Sequence, residues 1–145
     1  MRTKFSNKWK ASKQPRKQRK YVYNAPLHTR NKLMSAHLSE ELIKKYKRRN
    51  FPVKKGDNVM IMRGQFRGKT GNVNSVNYKK IKVYIDGAEM MKKDGTKAFY
   101  PIHPSNIMIK ELDLKDKERR KAIERNLLGK AFRENEEKAF KEKIK

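Results

Sequence analysis

Between residues 51 and 109, short runs of alternating apolar and polar residues are cut at intervals by glycine turns. No other feature constrains the fold of this chain as much. Val59 and Ile61 alternate with Met60 and Met62, and Ile81, Val83 and Ile85 alternate with Lys82 and Tyr84, the period of half-buried strands. Val73 and Val76 depart from strict alternation, which predicts a bulge between them. Ala98, Tyr100 and Ile102 predict a further strand, and Ile107 to Ile109 a short last one. The intervening turns are Lys55-Gly56-Asp57, Arg63-Gly64, Gly68 to Gly71, Asp86-Gly87 and Asp94-Gly95. The last suits a type I′ hairpin turn. About five short strands in so short a stretch predict a small, strongly bent barrel. Met60, Met62, Met90, Met91 and Met108 are expected to fill its core.

Charge decides what such a barrel can meet. The 145-residue chain carries 40 Lys+Arg against 15 Asp+Glu, a formal charge of +25 at pH 7. A compact globule with that charge repels itself, so the counter-charge is expected on a polyanion, nucleic acid first. Residues 1–50 hold 16 basic and 2 acidic side chains, residues 51–109 hold 11 and 4, and residues 110–145 hold 13 and 9. The densest charge therefore lies outside the best strand pattern, as in a small domain with a nucleic-acid-binding extension. The chain has no cysteine, which excludes disulfides, thiolate metal sites and a cysteine nucleophile. No apolar run approaches the ~20 residues that span a bilayer. Met1 to Lys10 is basic with no apolar stretch after it, unlike a secretory signal. An intracellular protein is expected.

Met1 to Lys20 is poor in aliphatic residues and is expected to stay unfolded without its partner. Pro26 suits the start of a short helix to about Met34. Ser39 is an N-cap followed by Glu40 and Glu41, with Leu38 and Ile43 placed as a hydrophobic staple, predicting a helix to about Tyr46. Cations crowd its C-terminal end, which the helix dipole favours, and Pro52 forbids continuation. Asp116 to Asn126 reads as a helix with an Asp116→Arg120 pair and a thin stripe of Ile123 and Leu127. Gly129 suits its stop. Ala131 to Lys145 alternates charge and is open to two readings, a solvated helix or a frayed tail.

Val53 to Val59 leads into Arg63-Gly64-Gln65-Phe66-Arg67-Gly68-Lys69-Thr70-Gly71-Asn72-Val73, which resembles a KOW motif. Its glycines leave no Cβ between backbone and partner, and Arg63, Arg67 and Lys69 bring charge to a phosphate backbone. Such motifs also occur in transcription elongation factors. The flanks narrow the resemblance. Ser12 to Lys20, Asn24-Ala25-Pro26-Leu27-His28, Lys32 to Ser39, Arg48 to Val53, Lys93-Asp94-Gly95-Thr96 and Ile102-His103-Pro104-Ser105-Asn106 occur in the order found in one family. The chain over residues 12–125 resembles the archaeal and eukaryotic form of large-subunit ribosomal protein twenty-four, twenty-six in the eukaryotic scheme. The resemblance implies an SH3-like barrel, binding near the 5′ end of the large-subunit rRNA early in assembly, and a place near the polypeptide exit tunnel in the cytoplasm. It also implies that the hairpin around Asp94-Gly95 reaches toward the tunnel opening.

The expected architecture is mostly β: a basic N-terminal extension with short helices (1–50), a KOW/SH3-like barrel (51–110) and a charged helical C-terminal extension (111–145). The expected partners are large-subunit rRNA and neighbouring ribosomal proteins. No membrane, small-molecule substrate, cofactor, metal or homo-oligomer is expected. In the extension, the residues expected to meet RNA are Lys13, Arg16, Lys17, Arg19, Lys20, Tyr23, Asn24, His28, Arg30, Lys32, Arg48 and Arg49. In the barrel they are Lys54, Lys55, Arg63, Gln65, Arg67, Lys69, Tyr78, Lys79, Lys80, His103, Ser105 and Asn106. Each has a plainer alternative. The Lys13–Lys20 cluster also suits a solvated tail, and Tyr21, Tyr23 and Tyr78 suit a core as well as base stacking. Trp9, in a polar run, suits an rRNA crevice or a neighbouring protein.

Chemistry finds little support. Three dispersed histidines without cysteine make a poor metal set. His103 and Ser105 lack an oriented base and an acid. Gly64 to Thr70 resembles a P-loop, but has three residues between its glycines where a P-loop needs four, and a strand follows where a helix is needed. The reading is an RNA-binding structural protein of the large ribosomal subunit, not an enzyme. The alternative is a KOW-type regulatory factor acting on RNA or on RNA polymerase.

Overall fold

The computed structural model describes residues 5–125, and the expectations for Gly129 and for Ala131 to Lys145 lie outside them. The chain is a mostly β, barrel-like fold with helical extensions. Three helices, α1 (Pro15–Asn24), α2 (Leu27–Leu33) and α3 (Glu40–Tyr46), precede and flank strands β1 (Ser35–Leu38) and β2 (Asn50–Pro52). Then come β3 (Asn58–Ile61), β4 (Thr70–Asn77), β5 (Lys82–Ile85), β6 (Glu89–Met91), β7 (Lys97–Phe99) and β8 (Ile107–Glu111). Residues 117–125 form helix α4.

Six strands make one sheet in the order β2-β1-β8-β3-β4-β5, while β6 and β7 form a separate two-stranded sheet. Among the described residues, only the β1–β8 pair is parallel. One strand of the sheet, β1, thus comes from the basic first segment. Alternation does its expected work: Val59, Ile61, Val83, Ile85, Ile107 and Ile109 point inward and are buried. Beyond β5, Ile102 exchanges backbone hydrogen bonds with Val83 (2.8 and 3.0 Å). A single 3-10 turn at Pro104–Asn106 then leads into β8. This brings the free edge of β5 back toward the other side of the sheet and gives the fold its barrel-like closure.

The bulge predicted between Val73 and Val76 is present as a register shift between Val73 and Ser75. Other details differ. Tyr100 and Ile102 are not in one strand with Ala98: β7 ends at Phe99, and Ile102 bridges β5 alone. The Asp94-Gly95 turn is not type I′, which needs positive φ at both central residues. Gly95 has φ 78° and Asp94 is not in that region. Lys92 N donates to Thr96 O, and Gly95 N to Lys92 O, making a longer loop that ends on a left-handed glycine. The Asp94 carboxylate accepts from Thr96 Oγ1 and N, and these bonds lower its pKa. The methionine expectation also fails. Met60 and Met108 face outward between buried neighbours, Met62 is half-buried just past the end of β3, and Met90 and Met91 are exposed on the hairpin. In β3, β4, β5 and β8 the buried strand positions are held by β-branched Val and Ile, and in β1 and β2 by Ala36, Leu38 and Phe51; among the described residues the buried methionine is Met34.

The basic run Lys13 to Lys20 does not stay extended. Pro15 opens α1, and Tyr21 on its inner face is buried with the Phe5 ring 5.1 Å away. Gln18 Nε2 donates to the carbonyls of Trp9, Lys10 and Ser12, fastening the preceding 3-10 turn (Asn7–Ala11) to the helix. One inward aromatic and local hydrogen bonds replace the aliphatic residues that the run lacks. Helix α2 begins directly after Pro26, and α3 has the predicted Ser39 cap, whose Oγ accepts from Leu42 N. α3 ends on Lys47 in the left-handed region, φ 50°, well before Pro52.

Gly71 explains why β4 and the Asp86-Gly87 turn approach so closely. A Cβ at Gly71 would lie 2.3 Å from the Asp86 carbonyl oxygen, which is backbone and cannot swing away. Gly71→Ala is expected to cost about 1–3 kcal/mol of overpacking strain, read as a lower urea midpoint at unchanged slope. An unchanged midpoint would mean that β4 and this turn are farther apart.

Candidate nucleic-acid interface

The residues expected to meet RNA sort into three surfaces. The first is α1, where Arg16, Arg19, Lys20 and Tyr23 are exposed, Lys13 is exposed just before it, and Lys17 is half-buried. Asn24 is half-buried at its end. His28 and Lys32 on α2 share a cavity of about 550 Å³ with Lys10 and the buried Tyr21. Tyr21 is core, so its stacking alternative falls. Trp9 is half-buried, with Lys20 Nζ 5.1 Å from its ring centre.

The second surface is the turn between β3 and β4. Arg67 N donates to Gly64 O, Gly68 N to Ile61 O and Lys69 N to Phe66 O, so the backbone alone closes it. Gly64 and Gly68 have φ 95° and 86°, where a Cβ is strained. Phe66 is the buried anchor, capped by Tyr100 at 5.4 Å and by Lys69 Nζ at 5.3 Å. Arg63, Gln65, Arg67 and Lys69 are exposed around it. The fold brings the His103-to-Asn106 turn here as well: Arg63, Gln65, His103 and Asn106 line one cavity of about 140 Å³. The Gly68-Lys69-Thr70 sequence runs straight into β4, so no P-loop helix follows it.

His103 shapes this surface. Its Nδ1 accepts from Ser105 N at 3.2 Å and lies 2.8 Å from Ser105 Oγ. A neutral ring that accepts at Nδ1 carries its proton on Nε2. Burial, and then the Lys82 charge, lower the His103 pKa below 6.5. The unfolded chain therefore takes up this proton first. The stability contributed by the neutral ring is complete above 6.5 and declines as pH falls from 6.5 toward the folded value. An NMR titration of the free protein is expected to show a His103 midpoint below 6.5; a midpoint above it would contradict the geometry.

The third surface is the β4–β5 turn, with Lys79 and Lys80 exposed and Tyr78 half-buried against the core. It faces α1 across a groove. Among the described residues, none of the cations on these three surfaces joins a salt bridge.

Other expected residues have internal partners. The Arg30 guanidinium donates to the carbonyls of Ala25 (2.8 Å), Lys79 (3.2 Å) and Tyr23. Arg48 donates to Ala122 O and lies 5.0 Å over the Phe51 ring. Lys54 pairs with Asp116 at 2.7 Å, a bond that lowers the Asp116 pKa. Lys55 and Arg49 are exposed. The expected Asp116→Arg120 side-chain pair is absent, because Asp116 takes Lys54 and caps Glu118 N, and Arg120 Nη2 donates to Leu114 O.

What the sequence reading missed is a buried ion pair. Arg119 Nη1 and Nη2 bond both Asp57 oxygens at 2.6 Å, with side-chain exposures of 4% and 0%. Asp57 also accepts from Lys54 N and Asp113 N. Arg119 further donates to Asp113 O and Pro52 O, and stacks on Phe51 at 5.4 Å. This cluster fixes α4, whose Ile123 is buried in the core, against the barrel. The sequence signals only two charges; their meeting is tertiary. Lys82, which the sequence presents only as a polar residue alternating along β5, lies beside His103 in the fold.

Together these features define a class: small, strongly basic, barrel-like proteins with a KOW-type glycine turn. The chain belongs to the family that comprises ribosomal protein L26 of eukaryotes and its archaeal counterpart, ribosomal protein L24, whose sequence profile matches residues 12–126. It is 52% identical over 116 residues to the large ribosomal subunit protein uL24 of Methanosphaera stadtmanae, covering 80% of this chain and 99% of that one.

Proposed function

We propose that the chain is a structural constituent of the cytoplasmic large ribosomal subunit that binds rRNA near the 5′ end of the large-subunit molecule and supports its early folding. One observation carries the reading. A chain of +25 displays exposed cations on α1, on the β3–β4 turn and on the β4–β5 turn, and among the described residues no carboxylate pairs with them. Phosphates are the counter-charge that fits, and such contacts position the protein without specifying sequence. The relative's name supports the large subunit.

A place near the exit tunnel rests on the family resemblance, and the β6–β7 hairpin agrees with it. The strands of the hairpin expose Met90, Met91 (74%) and Phe99, apolar surface suited to cover by neighbouring ribosomal components, below a polar turn at residues 92–96.

Crosslinking in growing cells, sedimentation of the lysate and sequencing of the attached RNA test the proposal. Co-sedimentation with the large subunit and reads near the 5′ end of its rRNA are expected. Slow-sedimenting protein attached to nascent transcripts or scattered mRNAs would instead favour a regulatory KOW factor.

A further inference from the structure

We propose that the groove between α1 and the β4–β5 turn seats one unpaired RNA nucleotide, its base on Tyr23 and its phosphate among Arg19, Lys79 and Lys80. The proposal rests on the RNA-binding reading and names what this one surface takes.

The groove has a volume of about 620 Å³, within the roughly 300–1,000 Å³ typical of small-ligand sites. Val22, Ile81 and Tyr23 supply apolar surface, and the charged residues lining it are all cations. Tyr23 is 81% exposed, a large ring with most of its surface in water. A flat apolar ring beside a cationic rim matches a nucleotide, which joins a flat base to a phosphate. A helical duplex hides its base faces, so the occupant is an unpaired nucleotide from a loop, bulge or end.

The groove is also rigidly built. Arg30 bonds the Tyr23 and Ala25 carbonyls on one wall and the Lys79 carbonyl on the other. One guanidinium thus fixes the spacing of the two walls. Ile81, a buried β-branched residue on the groove, has φ 53° in the left-handed region that such residues avoid. Backbone strain of this kind concentrates where a binding surface must keep one shape. Ile81 was expected as an ordinary strand residue; it sits in the turn just before β5.

The full chain is titrated with a short single-stranded RNA carrying 2-aminopurine at its centre, and with the same RNA made abasic there. The wild type is expected to quench 2-aminopurine and to bind the abasic RNA about 5- to 150-fold more weakly, the range for one stacked base. Tyr23→Ala is expected to lose the quenching and a similar factor with an unchanged salt slope, and Tyr23→Phe to keep both. Lys79→Gln with Lys80→Gln is expected to flatten the salt slope while quenching persists at saturation. Quenching and affinity unchanged in Tyr23→Ala would overturn the seat. If the wild type binds an rRNA fragment but never quenches 2-aminopurine, the seat fails and the rRNA reading stands. If it binds neither RNA, both fail. A photo-crosslinker at position 23 in assembled subunits is expected to label RNA; labelling of protein alone would assign the groove to a neighbouring protein and overturn the nucleotide.

Discussion

Arg119→Ala is expected to lower the unfolding free energy by about 3–5 kcal/mol, the cost of leaving a buried charge without its partner. The remaining Asp57 carboxylate is fully buried and keeps only the Lys54 and Asp113 amides. Asp57→Ala is expected to cost a similar amount, because it strands a guanidinium that is 4% exposed. Against the 5–15 kcal/mol typical of a domain, either loss is large. Replacing both partners by apolar residues, Asp57→Leu with Arg119→Met, is expected to cost less than the two single changes summed. Urea midpoints at constant slope measure all three variants. Single losses below about 1 kcal/mol would show a solvated pair of surface strength.

Arg63→Ala with Arg67→Ala is expected to weaken rRNA-fragment binding by roughly 10- to 100-fold while the barrel keeps its unfolding midpoint. The separation follows from the turn's construction. Backbone hydrogen bonds and the buried Phe66 close it, and among the described residues neither arginine side chain makes a hydrogen bond or salt bridge. Both charges are therefore available to phosphate oxygens, where charge-assisted bonds are strong. Each lost phosphate contact flattens the dependence of log affinity on log salt by about 0.7–0.9. The double variant should thus show a slope shallower by roughly 1.5. Unchanged affinity and slope would move the RNA contact off this turn.

Most of the sheet was legible because a strand's side chains alternate by geometry alone. Val59 with Ile61, and Ile107 with Ile109, announce an inward face before any neighbour is known. The Ser39 cap and the Leu38–Ile43 staple were legible for the same reason, since a helix start is a local hydrogen-bonding problem. Errors arose where local rules competed. Asp94-Gly95 matches the type I′ signature, but the Asp94 carboxylate binds Thr96 across a longer loop. Asp116 and Arg120 have helical i,i+4 spacing, yet Lys54, brought from the barrel, takes the carboxylate. In the candidate interface, the cations of the β3–β4 turn were readable as a motif. The removal of Arg30 and Arg48 to internal carbonyls was not, because those carbonyls arrive from other elements.

The sequence by itself determined the strong positive charge, the strand period, the glycine turn and the family, since each depends on residue identity and near neighbours. Tertiary structure decided that β1 joins β8 in parallel, that Asp57 meets Arg119, and that α1 stands across a groove from Lys79 and Lys80. Those outcomes bring together residues far apart in the chain. They depend on closing long loops and on burying surfaces together, and such energies appear only once the whole core has formed.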